Sequence, residues 1–145
     1  MACYRHALVL IEDQNDGLVL LEHAASVAES LDMTITLAHI SDDYRSMNYV
    51  ADSMMNDVVA DEIIRAKTLF SQLLLTTPHP VNVRHFVTLR RLEEIEQCIR
   101  QSGIDLLIAG HRNRLMSMFT SRCMSYINNL DVDVMIKHIL PARQK

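Results

Sequence analysis

Short apolar runs alternate along the chain with longer stretches of helical periodicity. Ala7 to Ile11 and Leu106 to Ala109 are continuously apolar, which is typical of strands covered on both faces. Thr34 to Ile40 is β-branched and apolar, and it predicts another strand. Val81 to Thr88 and Val132 to Lys137 instead alternate between apolar and polar residues, as half-buried strands do. The pattern therefore predicts five strands.

Helical spacing fills the intervals between these strands. The first helix is expected to be capped by Asp16, and the second to end near the prolines of TTPHP. The third is defined by Leu92, Ile95 and Ile99. The apolar stripes of the other three are Leu18, Leu21, Ala25, Ala28 and Leu31; Val59, Ile63, Ala66, Phe70 and Leu73; and Phe119, Cys123, Ile127 and Leu130.

Regular alternation of strands and helices indicates a single α/β domain over residues 1–145, with a parallel sheet between two helical layers. Strands one, two and four are nearly all apolar and should be central, and strands three and five should be the edges. The order 3-2-1-4-5 satisfies this requirement. Ligands of such sheets bind beyond the carboxyl ends of the strands at the switch point, here between strands one and four. The loops there are 11–16 (IEDQND) and 110–114 (GHRNR).

Composition narrows the class of protein. A net charge of -4 argues against general nucleic-acid binding, and no apolar run is long enough to cross a membrane. The N-terminal stretch lacks the pattern of a signal peptide. The three cysteines are odd in number and widely spaced, which favours a reducing cytoplasm over disulfides or a zinc site.

Four segments together carry a family resemblance. They are Val9 to Asp13, Leu37 to Ile40, Asp105 to His111, and Ile127 to Ile136. With these segments the chain resembles the universal stress proteins, and most closely their short bacterial A-type members. The resemblance implies a Rossmann-like fold of the adenine nucleotide alpha hydrolase-like type. It also implies a role in stress resistance or growth arrest, without catalysis.

The nucleotide-binding branch of that family carries the motif G-x2-G-x9-G-[ST] and an aspartate after strand one. Asp13 and Gly110 match this pattern, whereas Asn113, Cys123 and Met124 replace the remaining residues. Glycine lets the backbone approach phosphate oxygens, so these replacements predict that ATP is not bound and that no cofactor is needed.

Two alternatives stay open at this crevice. A degenerate loop at Gly110–Arg114 could bind ATP, AMP or another anion through Asp13, Gly110, Asn113 and Arg112, with Arg114 and Arg122 adding charge. Asp13 could instead be a turn aspartate that bonds to nearby backbone. His39 ends a strand near the crevice, whereas His85 and His111 are expected to be ordinary surface or rim residues. A redox or metal role for Cys123 with His111 is the weakest hypothesis, and Cys98 is expected to pack as a small apolar group.

An edge strand with an apolar face needs protection. Val132, Val134 and Ile136 form that face in strand five, and antiparallel pairing with a second copy would close both edges. The family resemblance implies the same arrangement, as a homodimer or as a heterodimer with a paralogue. No catalytic residue and no metal ligand set emerges, and the protein partners are not defined by the sequence.

Overall fold

A computed structural model of the chain describes residues 4–41, 52–88, 90–111 and 122–139. Side chains are described for all of these residues except 52–59 and 122–124.

Five strands and four helices alternate through these residues. In chain order they are β1 (His6–Ile11), α1 (Gln14–Leu31), β2 (Thr34–Ser41), α2 (Asp52–Leu74), β3 (Val81–Val87), α3 (Arg91–Ser102), β4 (Leu106–His111), α4 (Arg122–Asn129) and β5 (Asp133–His138). The strands form one parallel sheet of order β3-β2-β1-β4-β5. The predicted strand order and α/β class are therefore confirmed.

Each face of the sheet carries its own hydrophobic core. On one face, Leu20 and Leu21 of α1 and Phe70 and Leu73 of α2 pack against alternate residues of β1, β2 and β4. On the other face, α3 and α4 pack against the remaining residues, with Ile95, Cys98 and Tyr126 buried. The central strands are buried on both sides because helices cover both faces, as their continuous apolar runs predict.

The predicted helix faces need correction. In α1 the buried residues include Leu20 and Ala24, whereas Leu18 is 38% exposed. Among the described side chains of α4, Tyr126 is buried, whereas the predicted Ile127 is 46% exposed. Ile63 of α2 is also exposed, although Ala66, Phe70 and Leu73 are buried as predicted.

The helix limits also differ from the predictions. α2 begins at Asp52, well before the predicted start near Val58. The N-cap of α1 is Asp13, so the prediction that Asp16 caps this helix is wrong. Phe119, predicted for the fourth helix, lies outside the described residues.

Candidate functional site

The switch point lies where the sequence places it. β1 pairs with β2 on one side and with β4 on the other, so chain connections leave in opposite directions from the carboxyl ends of β1 and β4. The β1–α1 turn forms one side of the crevice there. Ligands of open α/β sheets bind at this position, so its donors, charges and space determine what it can hold.

A reciprocal capping box closes the β1–α1 turn. The Asp13 carboxylate accepts from the backbone N–H of Asp16 (3.0 Å), and Asp16 accepts in return from the N–H of Asp13 (2.9 Å). Asp13 is thus bonded to nearby backbone, as the turn-aspartate alternative predicts. Asp16 stands at the third helical position of the box, which explains why it does not cap the helix itself.

Asp16 is a buried carboxylate, with 5% of the residue exposed. It also accepts from the N–H of Glu12 (2.9 Å), so two successive backbone donors of the turn point at it. Burial raises the pKa of Asp16 to about 6, against the lowering effect of these two backbone bonds. These backbone donors of the turn are therefore occupied by a carboxylate of the protein itself.

Gly110 in β4 is packed closely by a hydrophobic side chain. A Cβ at this position would lie 2.8 Å from Cγ1 of Ile139 and 3.5 Å from Leu20. Ile139 is held there by its own N–H, which donates to the carbonyl of His111 (2.9 Å). The absence of a side chain at Gly110 is therefore explained by the approach of Ile139.

The remaining space in the crevice is small. A side chain of α3, Arg91, donates to the Tyr126 hydroxyl of α4 (3.2 Å) and to the carbonyl of Ile40 (3.4 Å). The cavity beside it has a volume of about 20 Å³, enough for roughly one water molecule. It is lined by Leu10, Ile11, Glu12, Asp16, Arg91, Ala109, Gly110 and Tyr126.

Arg91 and Tyr126 are contributors that the sequence patterns did not single out. Each lies in a helix, and residue spacing alone does not show which face of that helix points toward the crevice. Several candidates named above cannot be placed beside them. Arg112, Asn113 and Arg114 lie outside the described residues, as do the side chains of Arg122, Cys123 and Met124.

A histidine cluster lies at the carboxyl ends of β2 and β3. The parallel register sets His39 opposite His85, with ring centroids 5.4 Å apart. Nε2 of His85 lies 2.9 Å from the Ser41 hydroxyl, which donates to Glu62 of α2 (2.9 Å). His85 is thus a half-buried member of a hydrogen-bonded network at the rim of the sheet, a network that the sequence patterns did not single out.

The remaining candidates are His111, the possible metal ligands and Cys98. His111 stacks edge-on against His138, with centroids 5.5 Å apart. Among the described residues, no group of three His, Cys, Asp or Glu side chains is arranged to hold a metal ion. Cys98 is buried in the second core, as expected, and burial raises the pKa of its thiol.

The outer edge of β5 has no neighbouring strand among the described residues. Val134 is half-buried against the second core, and Ile136, on the same face, is 37% exposed. Val132 precedes the strand and also packs on this core. Met135 contacts the other core. In the parts of the chain that are described, no helix has the length and apolarity that crossing a bilayer requires.

A family model described as the universal stress protein family matches residues 3–138. The chain belongs to the universal stress protein family. It is 30% identical over 137 residues to a universal stress protein A homolog of Haemophilus ducreyi, which covers 92% of this chain and 95% of that protein. A role in the stress response fits the family name.

Solved structures agree with the fold of this universal stress protein. The UspA protein of Lactobacillus plantarum superposes with a TM-score of 0.72 at 18% identity, covering 94% of this chain and 99% of that one. A universal stress protein of Archaeoglobus fulgidus, solved in complex with dAMP, gives a TM-score of 0.61 at 15% identity, covering 92% and 97% of the two chains.

Proposed function

We propose that this universal stress protein acts in the cytoplasm as a dimeric interaction or regulatory protein, without ATP binding and without catalysis. The observation that carries the proposal is the occupied crevice. Ile139 fills the space over Gly110, and Asp16 takes the backbone donors of the β1–α1 turn.

The electrostatics of the turn support the same proposal. A nucleotide phosphate needs free backbone N–H groups and a positive environment. Here the donors of Glu12 and Asp13 face a buried carboxylate, and Glu12 and Asp13 add further negative charge nearby. An incoming anion would have to displace the Asp16 carboxylate from these donors. It would then bind beside the negative charges of Glu12 and Asp13.

Calorimetric titration with ATP and magnesium tests this proposal. The purified protein is first checked by mass spectrometry for co-purified nucleotide, so that an already filled site is not mistaken for an inert one. We expect no heat of binding at millimolar nucleotide. Binding at micromolar concentration would overturn the proposal.

The second candidate is a nucleotide-binding stress switch that uses Asp13, Gly110, Asn113 and Arg112. It is favoured by the shared fold with the Archaeoglobus protein solved with dAMP. Gly110→Ala is a poor probe of this candidate, because the new Cβ would strain the packing of Ile139 whether or not nucleotide binds. Arg112→Ala is the better variant, since it removes a charge that an anion would use. If ATP binds, this change should weaken its affinity by about tenfold.

The dimer we propose pairs β5 with β5 of a second copy in antiparallel fashion. A two-fold axis perpendicular to the sheet sets residues opposite one another at equal distances from a central residue. With Met135 at the centre, Val134 faces Ile136 and Asp133 faces Lys137. Apolar and opposite-charge pairs of this kind stabilise a sheet. Centring on Ile136 forms no pair of opposite charges, and centring on Val134 sets Lys137 opposite Asp131, which lies before the strand.

Charge reversal tests both the dimer and its register. Asp133→Lys or Lys137→Asp alone should weaken the dimer, and the two together should restore it, as measured by sedimentation at graded concentrations. Because the Tyr4 hydroxyl donates to Asp133 (2.8 Å), Tyr4→Phe serves as the control for loss of that bond. If the charge changes leave the dimer intact and Val134→Asp abolishes it, the proposed interface is correct and the proposed register is wrong. A mass unchanged by Val134→Asp would refute the interface, whether the partner is a second copy or a paralogue.

A further inference from the structure

The His39 ring has a defined tautomer because its two nitrogen atoms have different surroundings. Nε2 lies 3.2 Å from the backbone carbonyl of Glu12, which can only accept a hydrogen bond. Nε2 must therefore carry the proton. Nδ1 is buried and has no hydrogen-bond partner among the described residues. A proton on Nδ1 would accordingly be a buried donor without an acceptor.

His85 has the same tautomer for a different reason. The Ser41 hydroxyl has a single proton, which it donates to Glu62, so its oxygen accepts from Nε2–H of His85. This chain of bonds connects β3 to β2 and to α2. Ser41 is 7% exposed, which shields the connection from water.

The two rings lie too close for both to be charged without repulsion. Their centroids are 5.4 Å apart, and protonation of one ring disfavours protonation of the other. The charged groups around them come from three further elements. Glu62 of α2 and Glu12 at the end of β1 attract a proton to the pair, and Arg91 of α3 repels it.

We propose that the His39–His85 pair is an acid-operated latch, which in its neutral form holds α2 and the β1–α1 turn against the carboxyl ends of β2 and β3. Uptake of a proton by His39 gives its Nδ1 a buried N–H without an acceptor, and the latch loosens. The bonds that loosen are those from His39 to Glu12 and from His85 through Ser41 to Glu62. The output is a more open carboxyl edge of β2 and β3.

The direction of the pH response follows from burial. Burial lowers the pKa of His39 and of His85 below the ordinary 6.5, and the charge of Arg91 lowers that of His39 further, against the pull of Glu12 and Glu62. The unfolded chain therefore binds more protons than the folded one just below pH 6.5. Stability from the neutral pair is complete above pH 6.5 and is lost as the pH falls through the folded pKa values.

Hydrogen exchange of α2 at pH 7.5 and pH 5.5 tests the latch. After correction for the intrinsic pH dependence, amides of residues 60–74 should exchange on the order of tenfold faster at pH 5.5, as expected when a buried donor is left unpaired. In His39→Gln the amide nitrogen can take the place of Nε2 and cannot titrate. This variant should lose the acceleration.

His79→Gln is the matched control. His79 is also half-buried and its Nε2 lies 3.2 Å from a backbone carbonyl, that of Met33, but it has no part in the cluster. This variant should respond to pH as the unaltered protein does. Absence of acceleration in the unaltered protein, or its persistence in His39→Gln, would overturn the latch. Should His39→Gln not fold, nitrogen NMR of the unaltered protein decides: a proton on Nδ1 of His39 at pH 7.5 would refute the proposal.

Discussion

Both backbone groups of Glu12, in the β1–α1 turn, are held by titratable side chains. The N–H of Glu12 donates to Asp16 (2.9 Å), and its carbonyl accepts from His39 (3.2 Å). Burial is the largest cause of both pKa shifts, yet it raises the pKa of Asp16 and lowers that of His39, because it disfavours the charged form of each side chain. The two residues therefore affect stability in opposite directions as the pH falls.

We predict that the Asp16 carboxyl titrates near pH 6, which carbon NMR of the side chain can measure. Its contribution to stability is complete below pH 3.8 and is lost as the pH rises to about 6, because the folded state holds the proton more tightly. A rise of this size corresponds to about 3 kcal/mol. The unfolding free energy of the unaltered protein, relative to Asp16→Asn, should fall by up to that amount between pH 4 and pH 7. A titration near pH 3.8 would contradict this prediction.

We predict that Gly110→Ala lowers the free energy of unfolding by about 1–3 kcal/mol, since it overpacks the core against Ile139. Urea denaturation measures the loss. In an Ile139→Ala background the space is open, so the same change should cost much less. Equal costs in the two backgrounds would show that Gly110 is not constrained by this contact.

At the scale of elements, the sequence predicts the sheet better than the helix faces. The nearly all-apolar sequences of β1, β2 and β4 mark them as central strands, because such strands must be covered on both sides. The buried face of a helix is less well defined by the sequence, since consecutive residues are separated by only 100° of rotation. Tyr126 and Ile127 are both apolar enough to face the core, and only packing against β4 and α3 selects Tyr126.

The same distinction explains which parts of the site could be predicted. The location of the crevice follows from strand order alone, and the sequence identifies it. The partners within it depend on strand register and side-chain reach. His39 and His85 come together only because β2 and β3 pair with that register, and Ile139 reaches Gly110 only because β5 lies beside β4.

A pair of substitutions tests the face of α4. Tyr126→Ala should cost about 3–5 kcal/mol of unfolding free energy, because it removes a buried ring together with its bond to Arg91. Ile127→Ala, on the exposed side of the same helix, should cost less than about 1 kcal/mol. Chemical denaturation of both variants gives the comparison. A larger cost for Ile127→Ala would restore the face predicted from spacing.

For the whole molecule, the outer edge of β5 links folding to assembly. If two copies pair there, the native state is stabilised by mass action and the unfolded state is not. Tm should therefore rise with protein concentration over the range in which the dimer forms, by calorimetry from micromolar to hundreds of micromolar protein. Val134→Asp places a charge where an apolar partner is expected, so its Tm should be lower and independent of concentration. Val134 also packs on the second core, so a lower Tm alone would reflect lost packing. The loss of the concentration dependence separates the two effects, and its persistence in the variant would show that the molecule associates through another surface.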